Sequence, residues 1–234
     1  VATPVLTANS TYNLVSVASA TTPVCNNTAS GSVTITVNAL PTANVTANTI
    51  CSGTTGTVSF TGTPNAVVTY TVDGGANQTV TLDASGNASV TTPVLTVNST
   101  YALVSVTTTA TPICSQAQTA SATVTVTALP TASISGSTTI CSGSTAVISF
   151  TGTANASVTY TVDSGANQTV TLDATGNASV TTPVLTANST YTLVSVTATT
   201  TPACTNTALG SAFVTVFPLP TAAISGATTI CSGA

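Results

Sequence analysis

Six cysteines are the residues of this sequence with the most evident capacity for chemistry. They are Cys25, Cys51, Cys114, Cys141, Cys204 and Cys231, at successive spacings of 26, 63, 27, 63 and 27 residues. A regular, even set of cysteines with no histidine and no CxxC motif is typical of disulfides made in an oxidising compartment. Zinc ligands normally lie closer together in sequence and include histidine. We therefore predict disulfides, and neither a metal nor a cofactor.

Four aspartates are the only formally charged side chains, at positions Asp73, Asp83, Asp163 and Asp173. Calcium takes six to eight oxygen ligands, so two carboxylates in each stretch of about ninety residues would make a weak site. Aspartate beside glycine and asparagine is also typical of turns, where its side chain bonds to nearby backbone. The sequence favours this turn-stabilising role.

The composition excludes several classes of function. The chain has no Lys, Arg or His and a net charge of −4. Proton transfer and oxyanion stabilisation draw mainly on those residues and on Glu, so we predict that the protein is not an enzyme. Nucleic-acid binding gains most of its affinity from Lys and Arg, which excludes that class of partner as well. No apolar run approaches the roughly 20 residues of a membrane-spanning helix, so we predict no membrane insertion.

The remaining composition indicates an all-β fold. Apolar residues make up 42% of the chain, which is too many for typical disorder. Thr, Val, Ser, Asn and Gly are abundant and are poor helix formers, whereas Val and Thr favour strands. We expect almost no helix.

An internal repeat of about ninety residues organises the chain. The segment TYTVDGGANQTVTLDASGNASV from Thr69 recurs almost unchanged from Thr159, and the sequence from Val180 onward recurs at Val1. The motif LPTA recurs at three places, each followed by I-C-S-G. We predict the end of one repeat at 1–39, complete repeats at 40–128 and 129–218, and the first strand of another at 219–234. We expect the chain to belong to a longer array.

Each repeat contains short, alternating segments that are typical of β-strands. Val158, Tyr160 and Val162 alternate with threonines, as in a half-buried strand. The sequence from Asp163 to Asn167 then predicts a turn, and the equivalent Asp-Gly-Gly is a stronger hairpin signal because Asp and Gly tolerate positive φ. We count about seven strands per repeat, which predicts a tandem array of immunoglobulin-like β-sandwich domains.

Two disulfide patterns are compatible with this layout. Within each repeat, Cys51 would pair with Cys114 and Cys141 with Cys204, leaving Cys25 and Cys231 to partners elsewhere. Across the junctions, Cys25 would pair with Cys51, Cys114 with Cys141, and Cys204 with Cys231. Loop entropy separates them poorly, at about 4.3 kcal/mol for the long loop and about 3.6 for the short one. We favour one disulfide within each repeat, because a cysteine ending the first strand and another preceding the last strand can lie side by side in one sandwich.

The sequence resembles a known family at its LPTA, I-C-S-G, TYTVDGGANQTVTLDASGNASV and late T-P-x-C motifs. It resembles the immunoglobulin-like tandem repeats of giant secreted surface proteins of Bacteroidetes, of the adhesin or filament type. The resemblance covers the whole chain. It implies an immunoglobulin-like fold, export and display at the bacterial cell surface.

These observations favour a structural function outside the cell. We predict a fibre or stalk of serial repeats, with adhesive modules that bind a glycan or a host surface as the alternative. Strand edges without Lys lack the usual charged protection against pairing, so neighbouring copies of the protein are the expected partners. O-linked glycans on Ser and Thr are a further expectation, since sugar would keep a nearly uncharged surface soluble.

Overall fold

The described part of the chain is built from strands alone. The computed structural model describes residues 2–227, 229 and 232, and these contain 22 strands and no helix. The all-β prediction is therefore confirmed. Over the same residues there is consequently no helix that could cross a membrane. The strands are β1 (Ser10–Asn13), β2 (Ser16–Ala18), β3 (Asn26–Thr28), β4 (Ser32–Ile35), β5 (Ala43–Ala47), β6 (Thr49–Cys51), β7 (Thr57–Gly62), β8 (Val67–Val72), β9 (Gln78–Thr81), β10 (Asn87–Thr91), β11 (Ser99–Thr107), β12 (Ser115–Ala117), β13 (Ser121–Thr127), β14 (Ala132–Ser135), β15 (Thr138–Cys141), β16 (Val147–Gly152), β17 (Ser157–Val162), β18 (Gln168–Thr171), β19 (Asn177–Thr181), β20 (Ser189–Thr197), β21 (Thr205–Thr207) and β22 (Ser211–Phe217).

Backbone contacts divide the chain into two compact units. The first unit comprises Val1–Ala47, Thr57–Thr91 and Ser99–Val124. The second comprises Asn48–Gly56, Thr92–Asn98 and Thr125–Ala234. The second unit therefore includes two short segments that lie early in the sequence, and one of these carries Cys51.

The strand pattern from β5 to β13 recurs from β14 to β22. A three-stranded sheet has the order β10-β7-β5, and its copy has the order β14-β16-β19. A larger sheet has the order β6-β13-β11-β8-β9 with β12 beside β11, and its copy is β15-β22-β20-β17-β18 with β21 beside β20. Nearly all neighbours are antiparallel, but β6 runs parallel to β13 and β15 parallel to β22. Two sheets of this kind form an immunoglobulin-like sandwich.

Each copy has nine strands, more than the predicted seven. The opening strand is broken in two, as β5 and β6 or as β14 and β15, and its halves join different sheets. A three-residue strand, β12 or β21, also precedes the last strand. Such breaks leave little trace in an alternating pattern, because each piece is only three to five residues long.

Aromatic rings form the centre of each core. The ring centroids of Phe60 on β7 and Tyr70 on β8 are 4.9 Å apart, so this contact joins the two sheets of the first copy. Phe150 and Tyr160 make the same contact at 5.0 Å in the second copy. The strand alternation directs these rings into the core. Along β17 the side chains of Val158 and Tyr160 are buried, and the threonine between them is only half-buried.

The segment before β5 forms only two small hairpin sheets. β1 pairs with β4 and β2 with β3, in two-stranded sheets. The sequence of β1 matches those of β11 and β20, yet Tyr12 and Leu14 are exposed whereas Tyr101 and Leu103 are buried. The same strand sequence therefore exists here without a second sheet packed on it.

Candidate functional site

The backbone around Cys51 is fixed by several hydrogen bonds. Cys51 is the last residue of β6 and lies opposite Thr127 in the parallel pairing with β13. The amide of Ser52 donates to the Thr127 carbonyl at 2.8 Å, and the Thr54 hydroxyl donates to the Cys51 carbonyl at 2.7 Å. Gly53 donates from its amide to the Leu95 carbonyl at 2.8 Å. The cysteine is thereby presented at the end of its sheet.

The loop between β20 and β21 presents Cys204. The amide of Ala198 donates to the Cys204 carbonyl at 2.8 Å, which closes the loop around the motif T-P-A-C. Beside it, the Asn206 side-chain amide donates to the Pro130 carbonyl at 3.0 Å, so the loop is bonded to the LPTA segment. Cys204 is fully buried.

The sulfur atoms of Cys51 and Cys204 form a disulfide. The S–S distance is 2.05 Å and the Cα atoms are 5.5 Å apart, at a sequence separation of 153. Both cysteines lie in the second compact unit. The bond joins the I-C-S-G motif of one copy of the repeat to the T-P-x-C motif of the next copy.

This bond shows that both predicted pairings are wrong. We predicted Cys51 with Cys114 and Cys141 with Cys204, but Cys51 and Cys204 bond to each other while Cys114 and Cys141 are free thiols. The alternative across the junctions also required Cys51 and Cys204 to pair with other residues. Cys25 is a free thiol, and Cys231 lies outside the described residues.

The geometry of one sheet explains why Cys141 and Cys204 do not pair. Cys141 lies opposite Phe217, and this pair is beyond the first residue of β20. Cys204 lies near the last residue of β20, where Thr197 pairs with Thr205. β20 has nine residues, so at about 3.3 Å per residue the cysteines are separated by roughly 30 Å. A disulfide requires Cα atoms within about 7 Å. Cysteines before and after this strand are therefore at opposite ends of the sandwich.

The free cysteines lie in the same backbone settings as the bonded pair. Near Cys141, the Ser142 amide donates to the Phe217 carbonyl at 2.8 Å, as Ser52 does to Thr127. At Cys114, the Thr108 amide donates to the cysteine carbonyl at 2.9 Å, which matches the loop of Cys204. The loop of Cys25 has the same bond from Ser19. The backbone at each free cysteine is thus held as it is at the bonded pair.

The aspartates stabilise turns and strand connections. Asp83 accepts hydrogen bonds from the amides of Ser85 and Asn87, at 2.8 and 2.9 Å, which confirms the predicted local role. Asp73 differs, because it accepts from the hydroxyl of Ser99 at 2.9 Å and from the amide of Thr100 at 2.7 Å, 27 residues along the chain. It therefore ties the hairpin after β8 to the start of β11.

The equivalent aspartates of the second copy make the same bonds. Asp163 accepts from Ser189 and Thr190, and Asp173 accepts from the amides of Thr175 and Asn177. The Thr175 hydroxyl also donates to Asp173 at 2.6 Å, and these donors hold the pKa of Asp173 below its usual value. Over the described ranges, no three His, Cys, Asp or Glu side chains lie close enough to hold a metal ion.

Four tyrosines lie in the cores, and one of them is Tyr160 of the alternating strand segment. Tyr70, Tyr101, Tyr160 and Tyr191 are each at most 3% exposed. Desolvation by burial raises the pKa of all four hydroxyls. The hydroxyls of Tyr70 and Tyr160 donate to the side-chain carbonyls of Gln78 and Gln168, at 3.2 and 3.1 Å. These aromatic residues are structural and are not presented to a ligand.

Comparison with known proteins supports the fold. No protein-family model matches the chain, and no curated protein matches it, so the resemblance to Bacteroidetes surface repeats stays a prediction. A solved structure described as a marsupial T cell receptor is similar over 79% of this chain and 76% of that one, with 12% identity and a TM-score of 0.51. That likeness shows an immunoglobulin-like fold and nothing about function.

A biofilm-associated protein, of which the BSP domain was solved, also matches. The match covers 77% of this chain but 30% of that one, with 20% identity and a TM-score of 0.29. A Salmonella alpha-2-macroglobulin reacted with methylamine matches 90% of this chain and 18% of that one, at 13% identity and a TM-score of 0.33. Scores this low carry no argument.

Proposed function

We propose that the chain is a section of an extracellular structural fibre or stalk on a bacterial cell surface, made of immunoglobulin-like repeats in series and without enzymatic activity. The proposed repeats are those of the sequence analysis, complete at 40–128 and 129–218. The observation that carries the proposal is the disulfide between Cys51 and Cys204. It joins two successive copies of the repeated sequence covalently, which suits a load-bearing fibre.

The bond gives the chain a second covalent route for tension. Without it, the only covalent connection between two successive copies is the backbone around Leu129 and Pro130. With it, the segment between the two cysteines, whose sequence separation is 153, forms a closed loop that cannot be extended by pulling on the chain outside it. A tether with this property keeps its length even when a sandwich within the loop unfolds.

The surface chemistry is compatible with a passive assembly of like copies. The four carboxylates are engaged in hydrogen bonds within the chain, and there is no Lys or Arg to bind an acidic partner. We propose that neighbouring copies of the protein are its partners and that O-linked glycans on Ser and Thr maintain solubility, since edges rich in Val and Thr lack charged protection.

One observation favours an adhesive function as the second candidate. Phe213 and Phe217 on β22 are 44% and 58% exposed, although the other aromatic residues of the two full copies are buried. Exposed aromatic rings can pack against sugar rings. A glycan array probed with the chain and with Phe213→Thr tests this candidate, since Thr123 stands at the equivalent position of the first copy.

Stretching single molecules tests the fibre proposal. At about 3.4 Å per extended residue, the 153-residue loop holds roughly 52 nm of contour length. We expect the unfolded oxidised chain to be shorter than the unfolded reduced chain by that contour length, because the disulfide keeps the loop closed. Equal extension in both states would contradict the proposal. Electron microscopy of native material is the second experiment. Regular shafts would support a fibre, and isolated tails that bind a glycan would support adhesion.

A further inference from the structure

The free cysteines of this chain occur at the two kinds of position that form its disulfide. Cys141 is the copy of Cys51 in the I-C-S-G motif, and Cys114 and Cys25 are copies of Cys204 in the T-P-x-C motif. The disulfide joins one cysteine of each kind, from successive copies of the repeat. The same bond therefore has a candidate at every junction of an array.

Burial gives a second reason to expect partners at the free positions. Ile50, next to the bonded Cys51, is 5% exposed, whereas Ile140 beside the free Cys141 is only half-buried. Cys204 is fully buried, whereas Cys114 is half-buried and Cys25 is exposed. The bonded copies are thus covered by protein that the unbonded copies lack.

The local backbone does not account for this difference. Ser142 and Phe217 repeat the hydrogen bond of Ser52 and Thr127, both at 2.8 Å. The hydrogen bond from the Thr108 amide to the Cys114 carbonyl is 2.9 Å long, and the equivalent bond to the Cys204 carbonyl is 2.8 Å long. Both cysteines have the backbone hydrogen bonds of the bonded pair, so what they lack is the opposing motif.

We propose that Cys141 pairs with a T-P-x-C cysteine of a following repeat and that Cys114 and Cys25 pair with I-C-S-G cysteines of preceding repeats. Under this rule each repeat is bonded to the one before it and to the one after it, and none contains a disulfide of its own. The rule rests on the proposed function only for the serial order of the repeats. The partner is another repeat of this kind, placed in series in the same chain or supplied by a second chain.

The reaction is thiol–disulfide exchange with a low-molecular-weight disulfide as the oxidant. One cysteine thiolate attacks the oxidant, forms a mixed disulfide and releases one small thiol. The thiolate of the second cysteine then attacks the mixed disulfide, so the protein S–S bond forms and the second small thiol leaves. The two protons from the cysteine thiols end on the two small thiols, and the protein loses two electrons that the oxidant gains.

A tandem fusion tests the rule. In the repeat, residue 234 is equivalent to residue 144, and residue 1 is equivalent to residue 180. Two copies of the chain joined by an added segment with the sequence of residues 145–179 therefore keep the repeat in phase. The fusion contains a new complete repeat with Cys231 of the first copy and Cys25 of the second. After oxidation and blocking of thiols, mass spectrometry of thermolysin peptides identifies which cysteine positions are bonded, because Val24, Ile113 and Ala203 distinguish the T-P-x-C cysteines. Cysteine-to-serine variants in one copy then assign each bond to its copy.

The rule predicts two new bonds in the fusion. Cys141 of the first copy should bond to Cys25 of the second, and Cys231 of the first copy to Cys114 of the second. A bond between Cys231 and Cys25 inside the new repeat would overturn the rule, and so would blocked, unpaired thiols at these four positions. Loss of the bond between Cys51 and Cys204 would instead contradict the proposed function, so the two failures are distinguishable.

Two controls sharpen the result. Cys141→Ser in the first copy should leave Cys25 of the second copy as a free thiol without changing the other bonds. The unfused chain, oxidised at high concentration, tests a second chain as the source of the partner. Bonds between chains that join Cys141 to Cys114 or Cys25 support the same rule, whereas bonds joining two Cys141 residues would contradict it.

Discussion

The end of β6 and the end of β15 have nearly the same sequence but different surroundings. Both carry T-I-C-S-G on a strand that runs parallel to the last strand of its sandwich. Cys51 is bonded and the adjacent isoleucine is buried, whereas Cys141 is an exposed free thiol. The comparison teaches that the local sequence sets how the cysteine is held, and that a neighbouring copy determines whether it is covered and oxidised.

A second pair of copies gives the same lesson for the core. Tyr101 on β11 is 3% exposed, whereas Tyr12 on β1 is 37% exposed in a two-stranded sheet. The strand sequences are equivalent, so burial of the tyrosine comes from the opposite sheet. Substitutions at matched positions can therefore separate local from neighbour-dependent stability.

The largest difference is expected at the tyrosines. Tyr101→Ala should lower the free energy of unfolding by about 3–5 kcal/mol, the usual cost of removing a buried aromatic side chain. Tyr12→Ala should cost less than about 1 kcal/mol, because the side chain leaves little cavity. Urea denaturation followed by circular dichroism provides the measurement. Equal losses in the two variants would show that β1 is packed as β11 is.

The disulfide should give the next largest difference. Cys204→Ser should lower the free energy of unfolding by about 2–4 kcal/mol, since the unfolded chain is no longer constrained by a closed loop. Cys141→Ser is the matched control and should leave it nearly unchanged in the same denaturation assay. A similar loss in both variants would contradict the distinction between the bonded and the unbonded end.

A buried threonine should show that the two full copies respond alike. The Thr182 hydroxyl accepts the Ala146 amide at 2.9 Å, and Thr92 accepts the Gly56 amide at 2.8 Å. Thr182→Val and Thr92→Val should each cost about 1–3 kcal/mol, because a buried amide loses its acceptor. Thr181→Val, at an exposed position, is the control for threonine loss. Thermal unfolding of all three variants checks this, and a stabilised Thr182→Val protein would contradict it.

Alkaline pH should produce the smallest effect, shared by both cores. Burial raises the folded-state pKa of Tyr101 and Tyr191 above the usual 10.0. Their contribution to the free energy of unfolding is therefore fully present below pH 10. It should be lost as pH rises through the folded pKa. Denaturation between pH 8 and 12, with free thiols blocked, measures it. The double variant Tyr101→Phe and Tyr191→Phe should flatten the decline, and an unchanged decline would assign it to other groups.

The sequence was sufficient for the features that depend on local alternation and turn chemistry. Alternation placed Tyr160 in the core, and the turn signals placed turns at Asp73 and Asp163, where φ is 51° and 50°. Both features are determined within a few residues. The repeat period also identified which residues are equivalent, and that equivalence holds in the hydrogen bonds of the two copies.

The disulfide could not be predicted in the same way. A ninety-residue period allows Cys51 to pair with a cysteine in its own repeat, in the preceding one or in the next, and loop entropy varies too slowly with length to select among them. Selection comes from three-dimensional geometry, because β20 separates Cys141 from Cys204 by the length of the sandwich. Only the strand order reveals that a T-P-x-C loop and an I-C-S-G strand end lie at opposite ends of one repeat.

Peptide mapping of the chain, oxidised at low concentration and kept free of reductant, tests the bond between successive copies. After alkylation of free thiols and digestion with thermolysin, we predict one cross-linked species that joins the peptide of Cys51 to that of Cys204. Cys25, Cys114 and Cys141 should carry the alkyl group. Cross-links of Cys51 to Cys114 and of Cys141 to Cys204 would contradict a covalent bond between successive copies and would restore one disulfide to each repeat.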